Sequence, residues 1–172
     1  MAWILLLALA ALAAAMVAAA RRGLSNLRDS RQEAWAALET QLEKRQELMI
    51  QIVGLCSRLM KYERDTLDRL TTAGSAVIAA ARRGNMPALA AADKNHRAAS
   101  AALFALAANY PQFGTSAAFS ALRERAATLD ARVDEKREEY NSRVSLLNFR
   151  CRAFPYSVVA RTMGLRPAAF LS

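Results

Sequence analysis

Residues Ala2 to Ala20 (AWILLLALAALAAAMVAAA) run through apolar side chains without interruption until Arg21 and Arg22 end the stretch. As a helix this run covers ~28 Å, about the thickness of a hydrocarbon core, and it predicts a membrane-spanning helix. A cleaved signal peptide would open on Lys or Arg and carry a shorter apolar run, so a retained anchor is favoured. The small residues Val17-Ala18-Ala19-Ala20 resemble a cleavage site, which keeps removal open as the alternative.

From about Asn26 the pattern turns amphipathic. Leu38, Leu42, Met49, Ile52, Cys56, Leu59, Leu70, Ala73 and Val77 fall on alternating spacings of three and four, the seam of a long helix packed against others. Leu48, Leu55 and Leu67 widen the stripe, as a bundle requires. Arg45 and Glu63 interrupt the seam. On one helix they stand about 18 residues apart, hence on one inward face at ~27 Å, too far to touch. Each then needs another partner, and the third helix offers Glu138, Arg137, Tyr140 and Asn141. Buried charges of this kind fix register or mark a recognition pocket.

Gly84-Asn85-Met86-Pro87 breaks the pattern, with glycine suited to a helix C-terminus and proline to the first turn of the next. An alanine-rich second helix follows over roughly 87–109, with Leu89, Leu103, Phe104 and Leu106 as its larger apolar groups. Asn109-Tyr110-Pro111 stops it. A third helix is expected from near Ser116 to about Arg152, burying Phe119, Leu122, Ala126, Leu129, Val133, Tyr140, Leu147 and Cys151. Its middle, Arg132 to Glu139 (RVDEKREE), reads as a solvated face with i,i+4 pairs. Phe154-Pro155 closes it, and a short helix ending at Gly164 is expected in the tail. The predicted fold class is therefore all-α: a transmembrane anchor over 1–22, then over 23–172 an antiparallel bundle of three long helices plus a short C-terminal helix.

Charge adds an address. The chain of 172 residues carries a net charge of +9, all of it outside the apolar run. No basic residue precedes the span, whereas Arg21, Arg22, Arg28 and Arg31 follow it, so the positive-inside rule places the bundle in the cytoplasm. After Glu139 there is no acid, while Arg143, Arg150, Arg152, Arg161 and Arg166 remain. Such an end suits anionic lipid headgroups; nucleic acid is disfavoured, because few aromatics accompany the arginines and no binding module is recognisable. The bland reading is a basic helix end favoured by the macrodipole.

The order of these pieces resembles the LemA family across nearly the whole chain. Glu43-Lys44-Arg45-Gln46-Glu47-Leu48-Met49 resembles the family's basic pair, acidic residue and aliphatic run, and Tyr62-Glu63 falls where the family has a His-Glu or similar pair. Asn109-Tyr110-Pro111-Gln112 with Phe119 and Leu122 matches its tyrosine-proline turn and following helix. The closing part is the most specific: Arg137, Tyr140-Asn141, Asn148, Phe154-Pro155, Ala160, Gly164 and Phe170. Ile50-Gln51 and Ser57-Arg58 replace the family's Pro-Asn and Lys-Gly, which marks a divergent member. The resemblance implies a bacterial inner-membrane helical bundle with no defined reaction, linked to membrane-protein quality control.

No chemistry-bearing constellation competes with this reading. His96, the only histidine, is expected to be a packed, hydrogen-bonded imidazole on an alanine-rich helix. Cys56 and Cys151 lie far apart on apolar faces and read as small hydrophobes. Asp65, Asp68, Glu138 and Glu139 read as surface partners of Arg64, Arg69, Lys136 and Arg137. The chain is expected to be non-enzymatic, without cofactor, metal or evident small-molecule substrate. Its candidate sites are a polar cluster of Arg45, Glu63, Arg137, Tyr140 and Asn141, and a basic surface of Arg150, Arg152 and Arg161. A scaffold or adaptor holding an unidentified protein partner is the first functional expectation; a charge-driven binder of anionic lipid is the alternative.

Overall fold

The computed structural model describes residues 1–60 and 62–171; the side chain of Leu59, assigned above to the seam, and Ser172, at the end of the expected domain, lie outside the described residues. The order is α1 (Ala2–Leu59), α2 (Arg64–Arg82), α3 (Met86–Ala107), α4 (Pro111–Gly114), α5 (Ala117–Arg152) and α6 (Tyr156–Thr162), with no strand among the described residues. The all-α class with one long apolar N-terminal helix stands as expected.

The first long helix of the sequence reading is, however, two helices. α1 ends at Leu59, and Glu63 leaves helical geometry (φ −105°, ψ 31°) before α2 begins. No glycine or proline stands between, so the local sequence carries no stop signal. Packing supplies it: Met60 is fully buried in one cluster with Ile52, Cys56, Leu67 and Leu70, and the chain must turn to bring both flanks into that cluster. The Glu63 carbonyl then accepts from the Thr66 and Leu67 amides at 3.1 and 3.3 Å, starting α2. Glu63 and Arg45 consequently do not share one helix face, which corrects the inference drawn from their spacing.

The chain folds as two compact units: residues 1–35 with 139–170, and residues 36–138 with 171–172. In the second, α2 packs on α3, and Gly74 leaves room for the Gln46 side chain of α1 to reach the α2 backbone. Its core gathers Leu48, Met49, Ile52, Leu103, Ala107 and Ala126 with an aromatic group in which Phe113 and Phe119 lie 4.6 Å apart. The α2–α3 junction uses Gly84 at φ +61°, a conformation open to glycine, with the Asn85 amide returning to Ala80 O at 3.2 Å. Asn85 Oδ1 caps α3 by accepting from the Ala88 amide at 3.1 Å.

In the first unit the apolar run leaves its side chains exposed, with Trp3 at 82% and Leu12 at 67%. Burial begins at Ala20 and Leu24, which pack on Val159 and Ala160 of α6, flanked by Cys151, Tyr156, Met163 and Leu165. Farther along α1, Trp35 meets Tyr140 edge-on at 5.3 Å. Beyond α6 the tail, outside any helix, is tied to α5: Asn148 accepts from the Ala168 amide at 2.8 Å and donates to the Ala168 carbonyl at 3.0 Å. Tyr140 Oη donates to the Ala169 carbonyl at 3.2 Å.

Candidate functional site

Three helices of the second unit supply an alternating row of arginine and aspartate. Arg45 projects from the α1 seam and is 1% exposed, where a lone guanidinium would be strongly disfavoured. Its Nη2 pairs with Asp93 Oδ1 of α3 and its Nη1 donates to Asp130 Oδ1 of α5 at 3.1 Å. Asp93 also receives Arg97 Nε at 2.9 Å, one turn along α3. Arg97 grips Asp134 of α5 with both terminal nitrogens, at 2.7 and 3.2 Å, and Asp134 takes Arg137 Nη2 at 2.8 Å. The row runs Asp130, Arg45, Asp93, Arg97, Asp134, Arg137, charge-balanced along its length.

Helix geometry creates this order. Asp93 and Arg97 are one turn apart on α3, as are Asp130 and Asp134 on α5, so two short ladders face each other with Arg45 between their first rungs. Exposure grades along it: the Arg45 and Asp93 side chains are 1% and 13% exposed, those of Arg137 and Asp134 34% and 38%. Burial pushes the Asp93 carboxyl up, but the charges and hydrogen bonds of Arg45 and Arg97 outweigh it and hold the group below its usual range. Burial likewise works against the charge of Arg97, and Asp93 and Asp134 more than restore it.

His96 lies beside this row, 1% exposed, with neither ring nitrogen hydrogen-bonded. The packed imidazole is as expected; its hydrogen bonds are not there, because its neighbours on the row are committed to one another. Burial, then the nearby Arg45 charge, depress its pKa to about 4, so it is neutral at physiological pH. Among the described residues no group of three or more His, Cys, Asp or Glu is placed to hold a metal ion.

Of the expected polar cluster, Arg45 and Arg137 enter one network, joined through Asp93, Arg97 and Asp134. Arg45 does find a partner on the third long helix of the sequence reading, but it is Asp130 and not Glu138, Arg137, Tyr140 or Asn141, and its other partner is Asp93 of α3. Tyr140 and Asn141 belong to the first unit, and Glu63 sits half-buried before α2 without a side-chain cap bond. The stretch Arg132 to Glu139 is not simply a solvated face, since Asp134 and Arg137 are half-buried network members. Sequence reasoning missed Asp93, Arg97 and Asp130. For Asp93 and Arg97 the signal was their i,i+4 opposition within an alanine-rich helix otherwise poor in charge.

Arg45 is flanked by an open groove of about 350 Å³ between α1 and α5, lined by Lys44, Glu47, Gln51, Arg125, Thr128 and Arg132. Three cations against one acid make it basic. In the first unit Arg150, Arg152 and Arg161 are all exposed, and Arg150 lies 5.0 Å over the Tyr156 ring. Both cysteines are free; burial raises the Cys56 thiol to about 11 and pushes Cys151 up as well.

The LemA family model matches residues 34–172, the part of the chain that holds every residue of this network. Comparison with curated proteins gives no match.

Proposed function

The chain belongs to the LemA family, and from that premise we propose that it is a membrane-anchored, non-enzymatic scaffold or adaptor whose bundle lies in the cytoplasm and engages a protein partner of the membrane quality-control machinery. The observation that carries this reading is that one helix, α1, holds both the apolar run and Arg45. The residue that organises the bundle is thereby on the same element as the anchor. The arginines and aspartates of the row satisfy one another, which suits holding three helices in register more than acting on a substrate.

The basic groove beside the row is the face offered to the partner, with Lys44, Arg125 and Arg132 suited to an acidic segment. The test is site-specific photo-crosslinking from Thr128 in intact cells. A discrete protein adduct is expected, lost when Lys44→Glu and Arg132→Glu are combined while far-UV circular dichroism is unchanged. An adduct that survives both charge reversals, or none at all, would sink the reading.

A further inference from the structure

The first unit carries a second, separate surface. Ala20 and Leu24, buried against Val159 and Ala160, put α6 at the point of α1 where the apolar run gives way to Arg21 and Arg22. Tyr156 confirms the level, its ring lying 3.7 Å from where a Cβ on Gly23 would stand. α5 approaches the same place: Leu146 and Arg150 line a cavity of about 380 Å³ with Gly23, Asn26, Leu27 and Ser30. The turn between α5 and α6 therefore falls at the end of the apolar run.

That turn and its flanks are apolar in an unusual way. Phe154 is 81% exposed, Phe149 67% and Val158 56%. Apart from Ile50 and Tyr62, every exposed large hydrophobic residue described beyond the apolar run lies between Leu146 and Phe170. Exposed arginines are interleaved with them at 150, 152 and 161, and no acid follows Glu139 in the sequence. Exposed aromatics beside cations, at the boundary of an apolar span, match the layered chemistry of a bilayer interface.

We infer that this end of the first unit rests on the same bilayer that α1 crosses, an inference that depends on the anchor reading above. Phe149, Phe154 and Val158 enter the boundary between headgroups and acyl chains. Arg150, Arg152 and Arg161 bind the phosphates of anionic lipids. The surface is a collar around the emerging helix, and its occupant is lipid.

The experiment uses the full chain reconstituted in vesicles of phosphatidylglycerol and phosphatidylcholine, some with brominated acyl chains. Trp3→Phe and Trp35→Phe remove the native fluorophores, and Phe154→Trp, or separately Val158→Trp, introduces a reporter at an exposed position. The expected result is a blue-shifted emission that brominated lipid quenches strongly. The chain keeping only its native Trp35 should be quenched little. Quenching should weaken when phosphatidylglycerol is omitted, or when Arg150→Glu, Arg152→Glu and Arg161→Glu are combined. Flotation after alkaline carbonate washing reports the anchor independently. Chains that float while the reporters are quenched no more than Trp35 overturn the collar and leave the anchor standing. Quenching that ignores both lipid charge and charge reversal overturns phosphate binding by the arginines. Failure to float removes the anchor and the collar together.

Discussion

Arg45 of α1 and Asp93 of α3, 48 residues apart in sequence, meet as an ion pair whose side chains are 1% and 13% exposed. Each has one further partner, Asp130 for the arginine and Arg97 for the aspartate. Desolvating two charges costs several kcal/mol, and only close, well-directed bonding offsets it. The pair therefore specifies which helices adjoin more than it adds net stability. Asp93→Ala should destabilise the bundle by about 3 kcal/mol, because it leaves a buried guanidinium short of an acid. Arg45→Met combined with Asp93→Leu should recover most of that loss. Urea unfolding followed by circular dichroism checks both, and a double variant no more stable than the single one would refute the account.

At the other end of the row the same chemistry should count for little. Arg137 and Asp134 are each more than a third exposed, so water and salt screen them. Arg137→Ala should cost less than about 1 kcal/mol, and the difference from the parent chain should shrink as salt is raised. A loss as large as that of Asp93→Ala would show the network to be one indivisible unit.

His96 makes stability depend on pH. Its pKa falls from 6.5 in the unfolded chain to about 4 in the folded one, driven by burial and then by Arg45, with Arg97 adding and Asp93 opposing. Between those values the unfolded chain binds the extra proton, so stability rises with pH. The contribution is complete above about pH 6.5, shrinks as pH falls and levels off below about 4, with a full span of about 3 kcal/mol. Asp93, held below its usual range, adds loss in the same direction at still lower pH. His96→Leu should abolish the slope between pH 6.5 and 4, and at neutral pH it should stabilise, since it removes two buried unpartnered nitrogens. Melting temperatures across that range decide the matter.

The tail should come loose when its ties to α5 are cut. Asn148 makes both of its bonds to the Ala168 peptide group, and Tyr140 reaches Ala169. Asn148→Ala should cost about 1–2 kcal/mol and open residues 165–171 to carboxypeptidase. Tyr140→Phe, which keeps the edge contact with Trp35, should do so more weakly. Equal resistance in all three chains would mean that the tail is held by other contacts.

Thiol reactivity should separate the two cysteines. Cys56 is fully buried and raised to about 11, while Cys151 is only half-buried. At pH 8 iodoacetamide should modify Cys151 slowly and Cys56 only after unfolding. Rapid modification of Cys56 in the folded chain would contradict the packing around Met60.

What could be read from the sequence was local. The apolar run ended by Arg21 and Arg22, the seam through Leu38, Leu42, Met49 and Ile52, the Gly84-Asn85 break and the stop at Asn109-Tyr110-Pro111 all depend on neighbours within a turn or two. The periodicity also marked Arg45 as a charge in an apolar stripe. Its partners did not follow, because periodicity says which face a residue occupies and not which helix lies opposite. The end of α1 at Leu59 shows the same limit: no residue there disfavours a helix, and the burial of Met60 with Leu67 decides the turn. Nothing local singled out Asp93, Arg97 or Asp130; Asp134 read as part of a solvated face, and His96 as a satisfied imidazole. Their common environment exists only once α1, α3 and α5 are side by side, since ion pairing and desolvation depend on distances that the chain sets through tertiary packing.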